Sequence, residues 1–158
     1  MLDTILTTDS SKTRFLQRLV LGAVLLPHGL QKTVGWFGGF GFDGTMSYFT
    51  DTMGIPAPLA VLVILAESLG AIALIAGIGT RVAAFGALAT MVGAVLLTHL
   101  PNGFFMNWYG AQAGEGFEFH LLAIALALPL VIRGGGAYSL DRVLARWIRR
   151  PSPQLVTA

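Results

Sequence analysis

The sequence contains no cysteine, which excludes disulfides, thiolate nucleophiles, cysteine zinc sites and any thiol–disulfide relay as chemistry of this chain. Charge is scarce too. Only 11% of the residues are Asp, Glu, Lys or Arg against 54% hydrophobic, and the mean hydropathy of +0.72 lies well above that of an ordinary soluble domain. The formal charge of +2 comes mostly from the C-terminal end and describes no nucleic-acid face. The opening "MLDTILTTDSSKTRF" puts acids ahead of its bases and has no continuous apolar core with a small-residue cleavage site, so no cleaved signal peptide is expected. The glycines of "GWFGGFG" are not a phosphate loop, because no strand precedes them and no αβ unit follows. No flavin or nucleotide motif and no iron–sulfur ligand set is present, so redox chemistry on a group of those kinds is not expected of this chain alone.

What the chain has in abundance is apolar sequence, in segments at about 15–34, 58–77, 81–100 and 117–133. About 20 helical residues cover a hydrocarbon core of roughly 30 Å. The second and third segments read clearly as spans. The first and fourth carry Pro27 and Pro129 and several ionisable groups, features a spanning helix tolerates when its neighbours shield them. Lys12, Arg14 and Arg18 mark the start of the first segment, Arg81 lies in the turn "GIGTR", and Arg133, Arg142, Arg146, Arg149 and Arg150 follow the fourth. The intervening loops 35–57 and 101–116 contain no Lys or Arg, so the positive-inside rule places both termini in the cytoplasm. In the short turn, Gly77 can end one helix and Thr80 can cap the next, giving an antiparallel hairpin. Leu140, Val143, Leu144 and Trp147 share one helical face among arginines in the tail 138–150, the pattern of an amphipathic helix on the inner membrane surface. "PSPQLVTA" reads as a loose end. The expected fold is therefore all-α: one domain over 1–158, an integral membrane four-helix bundle, N-in and C-in, with an amphipathic C-terminal segment.

This topology assigns a depth to each polar residue. His28 and Lys32 fall in the outer third of the first helix and, four residues apart, on one face. Glu67 falls near mid-membrane, and His99 and Glu118 near the outer boundary. A charge at the centre of a spanning helix costs about 2.5–3.5 kcal/mol and normally faces the bundle interior. Glu67 is the most costly of the set, and Gly70 and Ala71 beside it make a small-residue face that admits a neighbouring helix. Its structural alternative is a buried pair with Lys32. Lys32 alone could snorkel to the headgroups, and His99 beside "LPNG" could cap a helix end. Trp36, Phe37, Phe40 and Phe42 could form an aromatic belt. Glu118 and His120, two apart on a helix, cannot both face inward; His120 reads as an interfacial histidine outside the site.

On "HGLQK", "GWFGGFG", "GIPAP", "AESLGAIALIAGIGTRVAA", "THLPNGF" and "FEFHLLAIALAL" leading to "GGGAYSLDRVL", the chain resembles the DoxX family of small four-helix bacterial inner-membrane proteins, from the first helix to the tail. The resemblance implies redox work near the quinone pool, as a membrane subunit or partner of a quinone-linked oxidoreductase. Carried over residue by residue, it points to His28, Lys32, Glu67, Arg81, His99 and Glu118, with Arg81 a structural anchor. A quinone site needs donors to its carbonyl oxygens, an aromatic or glycine-lined wall and a group that exchanges protons. His28, Lys32 and His99 can donate, Trp36 and the loop glycines can form the wall, and Glu67 and Glu118 can carry protons. The alternatives are a scaffold whose buried charges only fix helix register, a haem b protein with His28 and His99 as axial ligands, and a small-solute carrier. Membrane lipid is an expected partner, and the glycine-rich helix faces suit a homo-oligomer.

Overall fold

The computed structural model describes residues 6–148, and among them every regular element is helical. Helix α1, Lys12–Thr33, starts where the Ser11 hydroxyl accepts from the Arg14 N–H at 3.3 Å and runs unbroken through Pro27. Proline has no N–H to give the Ala23 carbonyl one turn back. The next segment, expected as plain loop, holds a 3-10 turn at Trp36–Gly38, a short helix α2 at Gly41–Ser47 and a π turn at Tyr48–Thr52.

The second apolar segment forms two helices, α3 at Ala57–Glu67 and α4 at Leu69–Ala76. Ser68 separates them. Its hydroxyl donates to the Ile64 carbonyl at 2.6 Å, a side-chain bond that competes with the backbone ladder and bends helices. Helix α5, Thr80–Ala94, continues into a π turn at Val95–His99 and a 3-10 turn at Leu100–Asn102. Helix α6 is Glu118–Arg133 and α7 is Leu140–Ile148. Ala57–Ala76 and Thr80–Asn102, 20 and 23 residues, are long and apolar enough to cross a membrane. Helix α6 is shorter, at 16 residues, and α1 carries Lys12, Arg14, Arg18 and Lys32.

Helix α6 lies along α5 and α1 along α4, with α1 also against α3 and α6, and α5 against α3 and α4. The core between them is small: Ala71, Ala84, Ala87, Ala123 and Ala127, with Leu21, Leu25, Leu74, Met91 and Leu130. The large side chains point outward. Leu62, Leu69, Phe85, Leu97 and Leu122 are all 60% exposed or more, the reverse of the arrangement in a soluble domain. Small residues let backbones approach, and at Gly29 the approach is complete: a Cβ there would collide with the backbone of Glu67 and Ser68. Helix α1 thus crosses the second segment at its break.

Arginine side chains tie down one end of the molecule. Arg18, 1% exposed, donates to the carbonyls of Leu74 and Ile75 at the end of α4 and to those of Gly135, Ala137 and Tyr138 in the turn before α7. Arg81 donates to the carbonyls of Val131 and Ile132, and Arg14 to that of Arg133. Cations belong at these positions, because the last carbonyls of a helix lack intrahelical partners and carry its negative dipole end. Gly77 ends α4 at φ +70, as expected. Thr80 does not cap α5 with its side chain. The cap comes from Asp141, whose two oxygens accept from the N–H groups of Gly79 and Thr80 at 2.7 and 2.9 Å. Helix α7 turns Asp141 and Ala145 inward and leaves Leu140, Val143, Leu144, Trp147 and Ile148 exposed. Arg149, Arg150 and "PSPQLVTA" lie outside the described residues.

Candidate functional site

The crossing at Gly29 places the end of α3 against α1 one turn before Lys32. Glu67, the last residue of α3 and 5% exposed, forms an ion pair with the Lys32 ammonium. Lys32 faces two ways. Besides Glu67, it lines a cavity of about 250 Å³ together with Gln31, Gly38, Gly39, Phe40, Thr45, Tyr48 and Phe49. The walls come from the "GWFGGFG" loop and from the unforeseen α2 with its π turn.

The loop is held over α1. The Gln31 side-chain amide donates to the Phe37 carbonyl at 3.3 Å, and Phe37 itself adopts φ 54, ψ 32, left-handed backbone that a bulky residue takes up at a cost. The cavity therefore presents an ammonium, an amide and two hydroxyl groups among three aromatic rings, with a carboxylate paired behind the ammonium. Such a lining offers hydrogen bonds to a polar group and aromatic surface beside it.

The other expected site residues are dispersed. His28 is exposed on α1, its ring 6.0 Å from that of Phe119, and does not line the cavity. Trp36 is 60% exposed and packs edge-on against Phe37 outside the cavity. Glu118 turns to the 101–117 loop, accepting from the Met106 N–H at 3.2 Å and the Trp108 indole N–H at 3.0 Å. Glu115 holds the same loop by accepting from the Asn107 N–H at 2.7 Å. His99 Nδ1 lies 2.9 Å from the Glu115 carbonyl oxygen. Arg81 is the anchor expected, at the arginine-bound end.

His120 corrects the sequence reading. It is 6% exposed, its ring 4.1 Å from that of His99 at a tilt of 39°, and its Nδ1 has no hydrogen-bond partner among the described residues. Of the two residues on the first turn of α6, His120 faces inward and Glu118 faces the loop. The signal was in the helix itself: His120, Ala123, Ala127 and Leu130 form its buried stripe, at the 3- and 4-residue steps of one helical face. His28, Phe119, His120 and His99 make a file of ring contacts at 6.0, 5.5 and 4.1 Å. His99 thus faces His120 and not His28, the pairing a bis-histidine haem would need. No group of three or more metal-ligating side chains is gathered among the described residues.

Two relatives share most of this architecture's length. The chain is 36% identical over 126 residues to the Escherichia coli (strain K12) "Inner membrane protein YqjF", covering 79% of this chain and 91% of that protein. It is 25% identical over 126 residues to the Bacillus subtilis (strain 168) "Putative oxidoreductase CatD", covering 80% of this chain and 82% of that protein. No solved structure matches it at a significant level. The DoxX family model matches residues 13–100, from the start of α1 through the Lys32–Glu67 pair to the end of α5 and its π turn; the chain therefore belongs to the DoxX family.

Proposed function

We propose that the chain is the membrane subunit of a quinone-linked oxidoreductase system. It crosses the bacterial cytoplasmic membrane four times, through α1, α3–α4, α5 and α6, with both termini in the cytoplasm, and its pocket lies in the outer half of the bundle. The membrane reading is supported by the exposed Leu62, Leu69, Phe85, Leu97 and Leu122 around an alanine core, a surface that water would not tolerate. It is also supported by the E. coli relative, named an inner membrane protein. The redox reading draws on the B. subtilis relative, whose name is "Putative oxidoreductase CatD".

The observation that carries the pocket is the position of Lys32 between buried Glu67 and an aromatic-walled cavity. The cavity of about 250 Å³ suits a quinone headgroup, with the isoprenoid tail left to the lipid. The group would supply two-electron, two-proton redox chemistry, with electrons from a separate redox partner protein. Lys32 would donate to one carbonyl oxygen, and Tyr48 or Thr45 to the other. Glu67, the carboxylate paired with Lys32, would be the group behind the pocket that takes up and releases a proton.

The test uses the full chain in lipid nanodiscs and a short-tailed ubiquinone analogue. Losing a charge-assisted hydrogen bond weakens binding by roughly 10- to 100-fold, so Lys32→Ala should do so and Glu67→Gln should weaken it too. Lys12→Ala, an exposed charge at the other end of α1, should have no effect. If Lys32→Ala and Glu67→Gln both bind as wild type does, the paired charges only fix helix register and the chain is a scaffold for a redox enzyme.

A further inference from the structure

We infer that the groove beside α7 is a seat for the headgroup of an anionic phospholipid of the cytoplasmic leaflet. The inference rests on the membrane placement proposed above and is independent of the quinone pocket. The groove has a volume of about 360 Å³ and is lined by Tyr138, Ser139, Leu140, Arg142, Val143 and Arg146.

Its two arginines are one helical turn apart, on the same side of α7. Only one acid, Asp141, lies in residues 133–148, and it does not offset them: it is 1% exposed, with both oxygens on the backbone N–H groups of Gly79 and Thr80. Among the described residues no carboxylate pairs with Arg142 or Arg146, and their charge faces an outside anion. Guanidinium groups grip phosphate oxygens in paired hydrogen bonds.

The apolar side of the groove identifies the anion as a lipid. Val143, 55% exposed, lines it, and Trp147 and Ile148 continue the same exposed surface at 71% and 58%. A soluble phosphate has no use for that surface, whereas the glycerol backbone and first methylenes of a phospholipid would cover it. The far wall is tied to the rest of the fold through its backbone and one ring contact. Tyr138 sits at φ 53 with its ring edge-on to Phe15 at 5.2 Å, and its carbonyl accepts from Arg18 at 2.8 Å.

The experiment places the full chain in nanodiscs of equal parts phosphatidylglycerol and phosphatidylcholine, releases it, and counts retained lipids by native mass spectrometry. Wild type should retain phosphatidylglycerol preferentially. Each of Arg142→Gln and Arg146→Gln should lower that preference by about five-fold, the effect of one basic residue at an anionic surface, and the double variant should abolish it. Arg133→Gln removes an exposed charge at the same end but outside the groove and should leave the preference intact. Equal retention of the two lipids by wild type overturns the seat, as does an equal loss in Arg133→Gln, which would mean diffuse charge only. Competition by inorganic phosphate would reassign the groove to a free anion and also overturns it. A chain that enters no nanodisc of any composition would instead sink the membrane placement.

Discussion

Lys32 and Glu67 can be tested against each other. Breaking a buried ion pair from one side leaves an uncompensated charge and costs about 3–5 kcal/mol, and the lower end applies because the Lys32 side chain keeps 23% of its exposure. Lys32→Met alone and Glu67→Leu alone should each destabilise the folded chain in detergent, while the double substitution should recover most of the loss. Thermal unfolding monitored by circular dichroism measures this; strict additivity of the two single effects would show that the pair is uncoupled. The pairing stood in the sequence as one alternative, because a carboxylate at mid-membrane needs a cation and the long side chain of Lys32, in the outer third of its helix, could reach back to it. The facing of His120 was less legible. Choosing between Glu118 and His120 required knowing that Glu118 would be drawn off by the Met106 and Trp108 N–H groups, contacts made by a loop whose conformation no periodicity reports.

Among the elements, α7 depends on bonds from afar. Asp141 caps α5 across 61 residues, and Arg18 joins α4 to the turn before α7. Loss of an N-cap costs about 0.5–2 kcal/mol, so Asp141→Ala should loosen α7 and the start of α5 together. Faster hydrogen exchange at the Gly79 and Thr80 amides, with α6 unchanged, is the expected result; exchange confined to α7 would show that the cap is not shared. Arg18→Lys should be nearly as damaging as Arg18→Ala, because a single ammonium cannot span five carbonyls in the planar fork a guanidinium offers. The sequence marks Arg18 only as an inside charge. Its burial follows from Gly77, where a Cβ would come within 2.8 Å of the Arg18 guanidinium carbon, a close approach no spacing rule anticipates. The split of the second segment at Ser68 was equally hidden, since a lone serine in an apolar helix is usually silent. Helix α2 was hidden for another reason: its glycines read as loop punctuation.

For the molecule as a whole, the distribution of basic residues predicts orientation. Reporter fusions after Gly44 and Gly110 should be active outside the cytoplasm, and fusions after Gly79 and Ile148 inside. A cytoplasmic signal at Gly44 would place Lys32, Glu67 and the cavity at the wrong membrane face and remove the proposed pocket from the outer leaflet. The long apolar segments and the helical hairpin at 77–80 were readable because length and hydropathy alone specify them. The relative rotation of the helices was not, because an alanine face and a leucine face are both apolar. The structure resolves that ambiguity by turning the alanines in.

That choice of alanine for the interior sets how the protein responds to temperature. A soluble domain unfolds with a heat-capacity increase of about 12–15 cal/mol/K per residue, because its greasy interior becomes wetted. Here the groups freed when α1, α4, α5 and α6 separate are Ala71, Ala84, Ala87, Ala123, Ala127 and a few leucines, and on the membrane reading they meet acyl chains and not water. Dispersion contacts are lost, but little hydration is gained. The stability curve should then be nearly straight, with no cold-side maximum, and what holds the helices together is the fit between their backbones.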